Sequence, residues 1–273
     1  ELSHWKGVAF ANAARHGVFS ALLARAGMTG PGPIFEGQMG FEKQLGVSLG
    51  NVGEKFAVPF EKAGDGPASM ILRTSIKFWP AEYHSQSAIE AALLLRKEIG
   101  DPANVRAMTI ESHDASVDII GSEPEKWKPE TRETADHSLP YITAIALIDG
   151  EITDRQFEPQ RFKDPEVWKF LENVKVERNA ELSGMYPDAV ANIVHIDLAD
   201  GRRLTKRVDY PMGHAKNPLK DSQVEEKFNA LVEPLLGSDR ARKIIDIVWK
   251  LDEAPNVDEL MKALEMPQHR GKK

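Results

Sequence analysis

The run Ala189–Val208 constrains the fold of this chain more than any other stretch. Apolar and polar residues alternate on both sides of Asp200-Gly201, the pattern of two antiparallel strands joined by a tight turn. With Gly201 in the left-handed position of a three-residue loop, Ile196 falls opposite Leu204 on one face. A slip of one residue would turn every apolar side chain to the wrong face, so this register decides which face is core. An isolated hairpin is marginal in water, and the chain must therefore supply further strands or helices to cover it.

Helical periods supply them. Val8, Ala11, Ala14, Val18, Ala21, Leu22 and Ala26 recur at helical spacing over residues 4–27, with Gly27 as the stop. Small residues dominate that face, which predicts close packing on other helices. After Gly30-Pro31-Gly32-Pro33, residues 34–65 read as short helical and irregular pieces broken by Gly37, Gly40, Gly46, Gly50 and Gly53, and a boundary falls near Gly64-Asp65-Gly66-Pro67. Ile71, Arg73, Ser75 and Lys77 alternate with Leu72, Thr74, Ile76 and Phe78 as a strand ended by Pro80. Ser87 and Glu90 form a capping box for a helix buried through Ile89, Ala92, Leu93 and Ile99 and stopped by Gly100-Asp101-Pro102.

Val105–Ser112 alternates as a strand, Thr131–Ile148 reads as a helix interrupted early by Pro140, and Pro165–Val174 as a shorter one. Beyond Tyr210-Pro211-Met212-Gly213-His214, one apolar stripe runs through Val224, Phe228, Leu231 and Leu235, and another through Ile244, Ile245, Val248 and Trp249. Asn256 with Glu259 caps a last helix carrying Leu260 and Leu264. Without a regular βαβ alternation the class is α+β, a mixed middle domain between helical flanks that pack together as parts of one helical domain.

Composition narrows the chemistry. The 273 residues include no cysteine, which excludes disulfides, thiolate zinc sites, a cysteine nucleophile and an iron–sulfur cluster carried by this chain. A net charge of −7 argues against a nucleic-acid partner. The basic tail His269-Arg270-Gly271-Lys272-Lys273 is short enough to be a solvated terminus. No apolar run approaches the ~18 residues of a membrane span. No HExxH, P-loop, GxGxxG, EF-hand or GxSxG pattern occurs, and the histidines form no metal spacing.

Two ten-residue runs concentrate polar chemistry: Lys77-Phe78-Trp79-Pro80-Ala81-Glu82-Tyr83-His84-Ser85-Gln86, and Thr131 through Asp136-His137-Ser138-Leu139-Pro140-Tyr141. His84 precedes a helix N-terminus, where backbone N–H groups favour an anion, and Lys77 lies at the predicted strand end. His137 suits acid or base work near neutral pH, and Tyr141 suits proton donation to a leaving oxygen. Asp136, His137 and Tyr141 do not share a helical face, although the Pro140 break can re-aim them. Arg15 and His16 add two cationic groups on the first helix, Arg15 with the planar fork that binds a carboxylate. An exposed strand-end lysine, a capping Asp, a half-buried His, a core Tyr and a solvated helix face account for these residues taken singly. Turn chemistry accounts for the Pro and Gly around His214, and His113, His195 and Arg203 read as structural.

Taken together, PAEYHSQ (Pro80–Gln86), TRETADHSLPY (Thr131–Tyr141), NAARHGVFSALL (Asn12–Leu23), Gly27-Met28-Thr29-Gly30, Phe35-Glu36-Gly37, AIALIDG (Ala144–Gly150) and DYPMGHAKNP (Asp209–Pro218) resemble the MmgE/PrpD family, in the same order along nearly the whole chain. The family's best-known members are 2-methylcitrate dehydratases, and PAEYHSQ looks closest to that branch. The resemblance implies a large helical domain and a smaller α+β lid with a cofactor-free, metal-free site for an acidic substrate between them. Residues 68–213 would be the lid. Residues 1–67 and 214–273 would belong to the helical domain, whose earlier section, with part of the site, lies upstream of the Asn12 motif in family members.

By that likeness the site residues are Lys77, His84, Tyr141 and His137, with Arg15, His16 and Lys77 binding substrate. The implied reaction is dehydration of a 2-methylcitrate-like tricarboxylate in propionate metabolism, by a homodimer of the full chain, in the cytoplasm or, in a eukaryote, the mitochondrial matrix. Three rivals remain: cis-aconitate decarboxylation, epimerisation of a small dicarboxylate, and a non-catalytic module completed by another chain.

Overall fold

The computed structural model describes Ser3, residues 5–48 and residues 74–266. The beginning of the expected 70–78 strand, the boundary at residues 64–67 and the basic tail lie outside these residues. Helices α1 (Trp5–Arg25) and α2 (Phe41–Leu45) are followed by α3 (Gln86–Ile99), β1 (Val105–Ser112), α4 (Arg132–Ala135), α5 (Leu139–Asp149), α6 (Pro165–Leu171), β2 (Val174–Arg178), β3 (Asn192–Leu198) and β4 (Arg203–Val208). Helices α7 (Asp221–Leu236), α8 (Ser238–Val248) and α9 (Asp258–Leu264) complete an α+β fold.

The strands form one sheet in the order β2-β1-β3-β4, parallel between β1 and β2 and antiparallel elsewhere. Ile196 pairs with Leu204, the register expected from the turn. Gly201 takes φ 87°, and the Arg202 N–H donates to Asp200 Oδ1 at 3.0 Å to close the loop. Met108 and Ile110 on β1 and Val194, Ile196 and Leu198 on β3 turn to one buried face. The opposite face is polar, and there His195 links Glu111 (2.7 Å) to Thr205 (2.8 Å).

Two helices cover the apolar face. Helix α3 packs across β3 and β4, and α5 packs between α3, α6 and β2. Every residue of α5 from Leu139 to Leu147 is buried, as a helix surrounded by protein requires. The expected capping box of α3 is not made. Ser87 Oγ instead donates to the Val190 carbonyl, and the Glu90 carboxylate accepts the Met212 N–H at 2.7 Å. Both side chains serve long-range contacts because this end of α3 is buried against the sheet.

The helix expected over 131–148 with an early interruption at Pro140 is two helices, and the break falls before the proline, at residues 136–138. Ser138 caps α5 by accepting the Tyr141 N–H at 3.1 Å, and Pro140 lies in the first turn, where its missing N–H costs nothing. Asp136 and His137 thus occupy the joint. Residues 74–77 are not a strand either, since the Ile76 N–H finds its partner in the Gly213 carbonyl at 2.8 Å and not in the sheet. Helix α1 has no buried residue, while α7 packs on α8 and α8 on α9. Among the described residues no helix is long and apolar enough to cross a membrane.

Gly213 has φ 89°, and a Cβ built there would stand 2.0 Å from the Ile76 carbonyl oxygen. Gly213→Ala should therefore lose at least about 1–3 kcal/mol, the cost of a strained backbone, before any clash is counted. Gly184→Ala, in a helical turn with open space around it, should be neutral or gain up to about 1 kcal/mol. Urea denaturation of the two variants checks the contrast.

Candidate active site

The Lys77 segment is fastened from three directions. Gly213 holds Ile76, Ser75 Oγ accepts the Tyr83 hydroxyl (2.9 Å) and the Ala215 N–H (3.1 Å), and Lys227 Nζ on α7 donates to the carbonyls of Lys77 and Phe78. The turn that follows is shaped by buried Gln86. Its amide donates to the Trp79 (3.1 Å) and Ala81 (3.3 Å) carbonyls and accepts the Trp79 N–H (3.2 Å). A buried amide with several partners specifies one backbone path, because any other path leaves polar atoms unpaired.

One backbone bond then joins the two polar runs: the Glu82 N–H donates to the Asp136 carbonyl at 2.9 Å. The outcome is a cleft of about 230 Å³ whose walls include Lys77, Trp79, Glu82, Asp136, His137 and Lys227. His137 Nδ1 is hydrogen-bonded to Asp136, and its Nε2 faces Lys6 Nζ at 2.8 Å. A lysine ammonium only donates, so the contact assigns the proton to Nδ1 and the lone pair to Nε2. An imidazole backed by a carboxylate with its other nitrogen able to accept a proton is the arrangement of a general base.

The remaining candidates are placed elsewhere. His84 is not on the cleft wall. Its Nδ1 pairs with Glu82 at 3.0 Å, and its ring lies against His113 (centroids 5.2 Å) and Tyr186 (5.7 Å). Tyr141 is fully buried, and its hydroxyl donates to the Gln156 carbonyl. Burial drives its phenol well above the ordinary range, which makes it a poorer acid. Arg15 and His16 are exposed on α1, and among the described residues no hydrogen bond or ion pair ties either to the cleft. The structure thus brings Lys77 and His137 together and leaves His84, Tyr141, Arg15 and His16 outside that wall.

Lys227 was not legible as a site residue, because it adjoins Phe228 in an ordinary amphipathic helix and no local motif marks it. Burial works to raise the Glu82 pKa, but hydrogen bonds and charge from His84, with Lys77 beyond, outweigh it and hold the carboxyl below its usual range. Behind it, burial and then the nearby His84 charge push His113 down to about 4, leaving it neutral. Among the described residues no group of His, Asp and Glu side chains gathers in a metal-binding arrangement.

The fold and cleft define an α+β protein with polar chemistry drawn from several segments of one chain. Residues 1–48 match the family model described as MmgE/PrpD N-terminal domain, and residues 79–253 match the MmgE/PrpD C-terminal domain. The chain belongs to the MmgE/PrpD family. It is 26% identical over 261 residues to cis-aconitate decarboxylase of Mus musculus, covering 94% of this chain and 51% of the relative. It is 26% identical over 264 residues to the Homo sapiens decarboxylase, covering 94% and 52%. It is 31% identical over 147 residues to 2-methylcitrate dehydratase of Escherichia coli (strain K12), covering 50% and 30%. The chain spans about half the length of the decarboxylases it matches.

His113 generates a pH prediction with a definite sign. Its pKa is about 4 in the folded chain against 6.5 for the free group, so between these values the unfolded chain binds a proton that the folded chain does not. Stability should fall as pH drops through that window, by at most about 1.4 kcal/mol per pH unit from this group. Glu82, with its lowered pKa, adds a loss at the acid end only, as pH falls below the ordinary carboxylate range. Denaturation at a series of pH values should show the slope between pH 6.5 and about 4 flattened in His113→Phe and retained in Glu82→Gln.

Proposed function

We propose that this chain carries the Lys77–His137 part of a lyase site that dehydrates a 2-methylcitrate-like tricarboxylate without a cofactor, within propionate metabolism. The single observation that carries the reading is the His137 imidazole, backed by Asp136 on the wall of a cleft that also holds Lys77. Lys77 fixes a substrate carboxylate and stabilises the carbanion-like charge that develops when the adjacent C–H is broken. With Lys6 turned from Nε2 to the bound acid, His137 Nε2 takes that proton and returns it from the imidazolium to the departing hydroxyl, which leaves as water. Asp136 stabilises the imidazolium between the two transfers. Acid–base work of this kind contributes about 10²–10⁴-fold.

Within the same reading, residues 68–213 form the lid, residues 1–67 and 214–273 belong to the helical part, and the full-length protein is a homodimer. A second reading is decarboxylation of cis-aconitate, favoured by the decarboxylase relatives, which align over 94% of this chain where the Escherichia coli dehydratase aligns over 50%. The same groups serve it. A carboxylate leaves as carbon dioxide, and the carbanion that remains takes a proton that His137 has first drawn from water.

The test is turnover by the 273-residue chain, offered 2-methylcitrate and cis-aconitate separately, with products identified by mass. Dehydration gives an unsaturated acid and water from the first, and decarboxylation gives carbon dioxide from the second. Lys77→Ala and His137→Asn should each lower the turnover found by about 10²-fold or more while melting cooperatively. Near-native turnover in either variant removes that residue from the site.

A further inference from the structure

We propose that Lys227 is a second anion-binding residue of the Lys77 cleft, holding one carboxylate of the acid while its other N–H groups fasten the backbone beneath Lys77. The inference rests on reading that cleft as the acid site and extends the site to α7.

A lysine ammonium has three N–H donors. Two of them in Lys227 go to the carbonyls of Lys77 and Phe78, and the third remains for the cleft, whose wall Lys227 helps to form. Charge balance gives this donor its importance. With Lys6 Nζ 2.8 Å from His137, the cations Lys6, Lys77 and Lys227 stand at the cleft against the carboxylates of Glu82 and Asp136. Remove Lys227 and two lysines face two carboxylates, so the positive excess that attracts a polyanion is gone. At ~4 Å and an effective dielectric of 20, a single unit-charge contact is large enough to decide the sign. Burial, with the neighbouring charge of Lys77, pulls the Lys227 ammonium below the usual lysine range, the strain that an incoming carboxylate relieves.

Tricarballylate, a tricarboxylate with no hydroxyl to lose, is the probe, titrated calorimetrically into the full 273-residue chain. Lys227→Gln keeps an N–H for the backbone and removes the charge. It should weaken binding at least about tenfold and make the affinity less dependent on salt, whereas Lys227→Arg should stay within about threefold of the parent. Binding within twofold of the parent in Lys227→Gln, or weaker binding with an unchanged salt dependence, overturns the proposal and leaves Lys227 as a backbone tether only. Loss in Lys227→Gln with none in Lys77→Gln keeps Lys227 and overturns the Lys77 reading. A parent chain that does not bind the probe overturns both. If Lys227→Gln fails to fold, reductive methylation of the parent followed by mass spectrometry decides: tricarballylate should protect Lys227, and equal labelling with and without it contradicts the proposal.

Discussion

The hydrogen bond from the Ile76 N–H to the Gly213 carbonyl governs where the Lys77 turn stands. It brings a segment without secondary structure against the chain leaving β4, and it forms only because Gly213 has no Cβ and takes a positive φ. Ser75 and Lys227 then fasten the residues on either side. Lys77 is consequently held by parts of the chain more than a hundred residues away. A lysine on a flexible turn would lose side-chain and backbone freedom on binding an anion, whereas one on a fastened turn has already lost most of it.

The second constraint is the break between α4 and α5. Because Ser138 starts a new helix, Asp136 and His137 escape a helical face and meet the Glu82 turn through one backbone bond. The cleft is therefore a seam between two helix beginnings, each capped by its own side chain: Glu82 at the 83–85 turn and Ser138 at α5. Cap residues fix backbone direction at little cost. They also leave the residues beside them outside regular structure, where side chains can turn toward a ligand.

The scaffold was largely legible from sequence. The Asp200-Gly201 turn yields the Ile196–Leu204 register because local turn chemistry and face alternation agree. Long helices were legible for the same reason. Errors fell where a side chain chose a distant partner over a local one, as with Ser87 and Glu90, or where alternation over 74–78 met the Gly213 carbonyl instead of a neighbouring strand. In the site, Lys77 and His137 stood in recognisable runs. Tyr141 stood in one too, but the break at Ser138 turns it into the core. Lys227 had no local signal, because its bonds to the Lys77 turn arise only when α7 packs beside it.

A base role for His137 requires its proton on Nδ1 toward Asp136 and its lone pair on Nε2, where Lys6 stands. Long-range proton–nitrogen NMR of the histidine side chains at neutral pH measures this directly, with His137→Asn assigning the signal. A protonated Nδ1 and an unprotonated Nε2, the latter shifting when tricarballylate is added, is the predicted result. A proton on Nε2 with Nδ1 bare, or a signal unmoved by the acid, would contradict His137 as the base at this cleft.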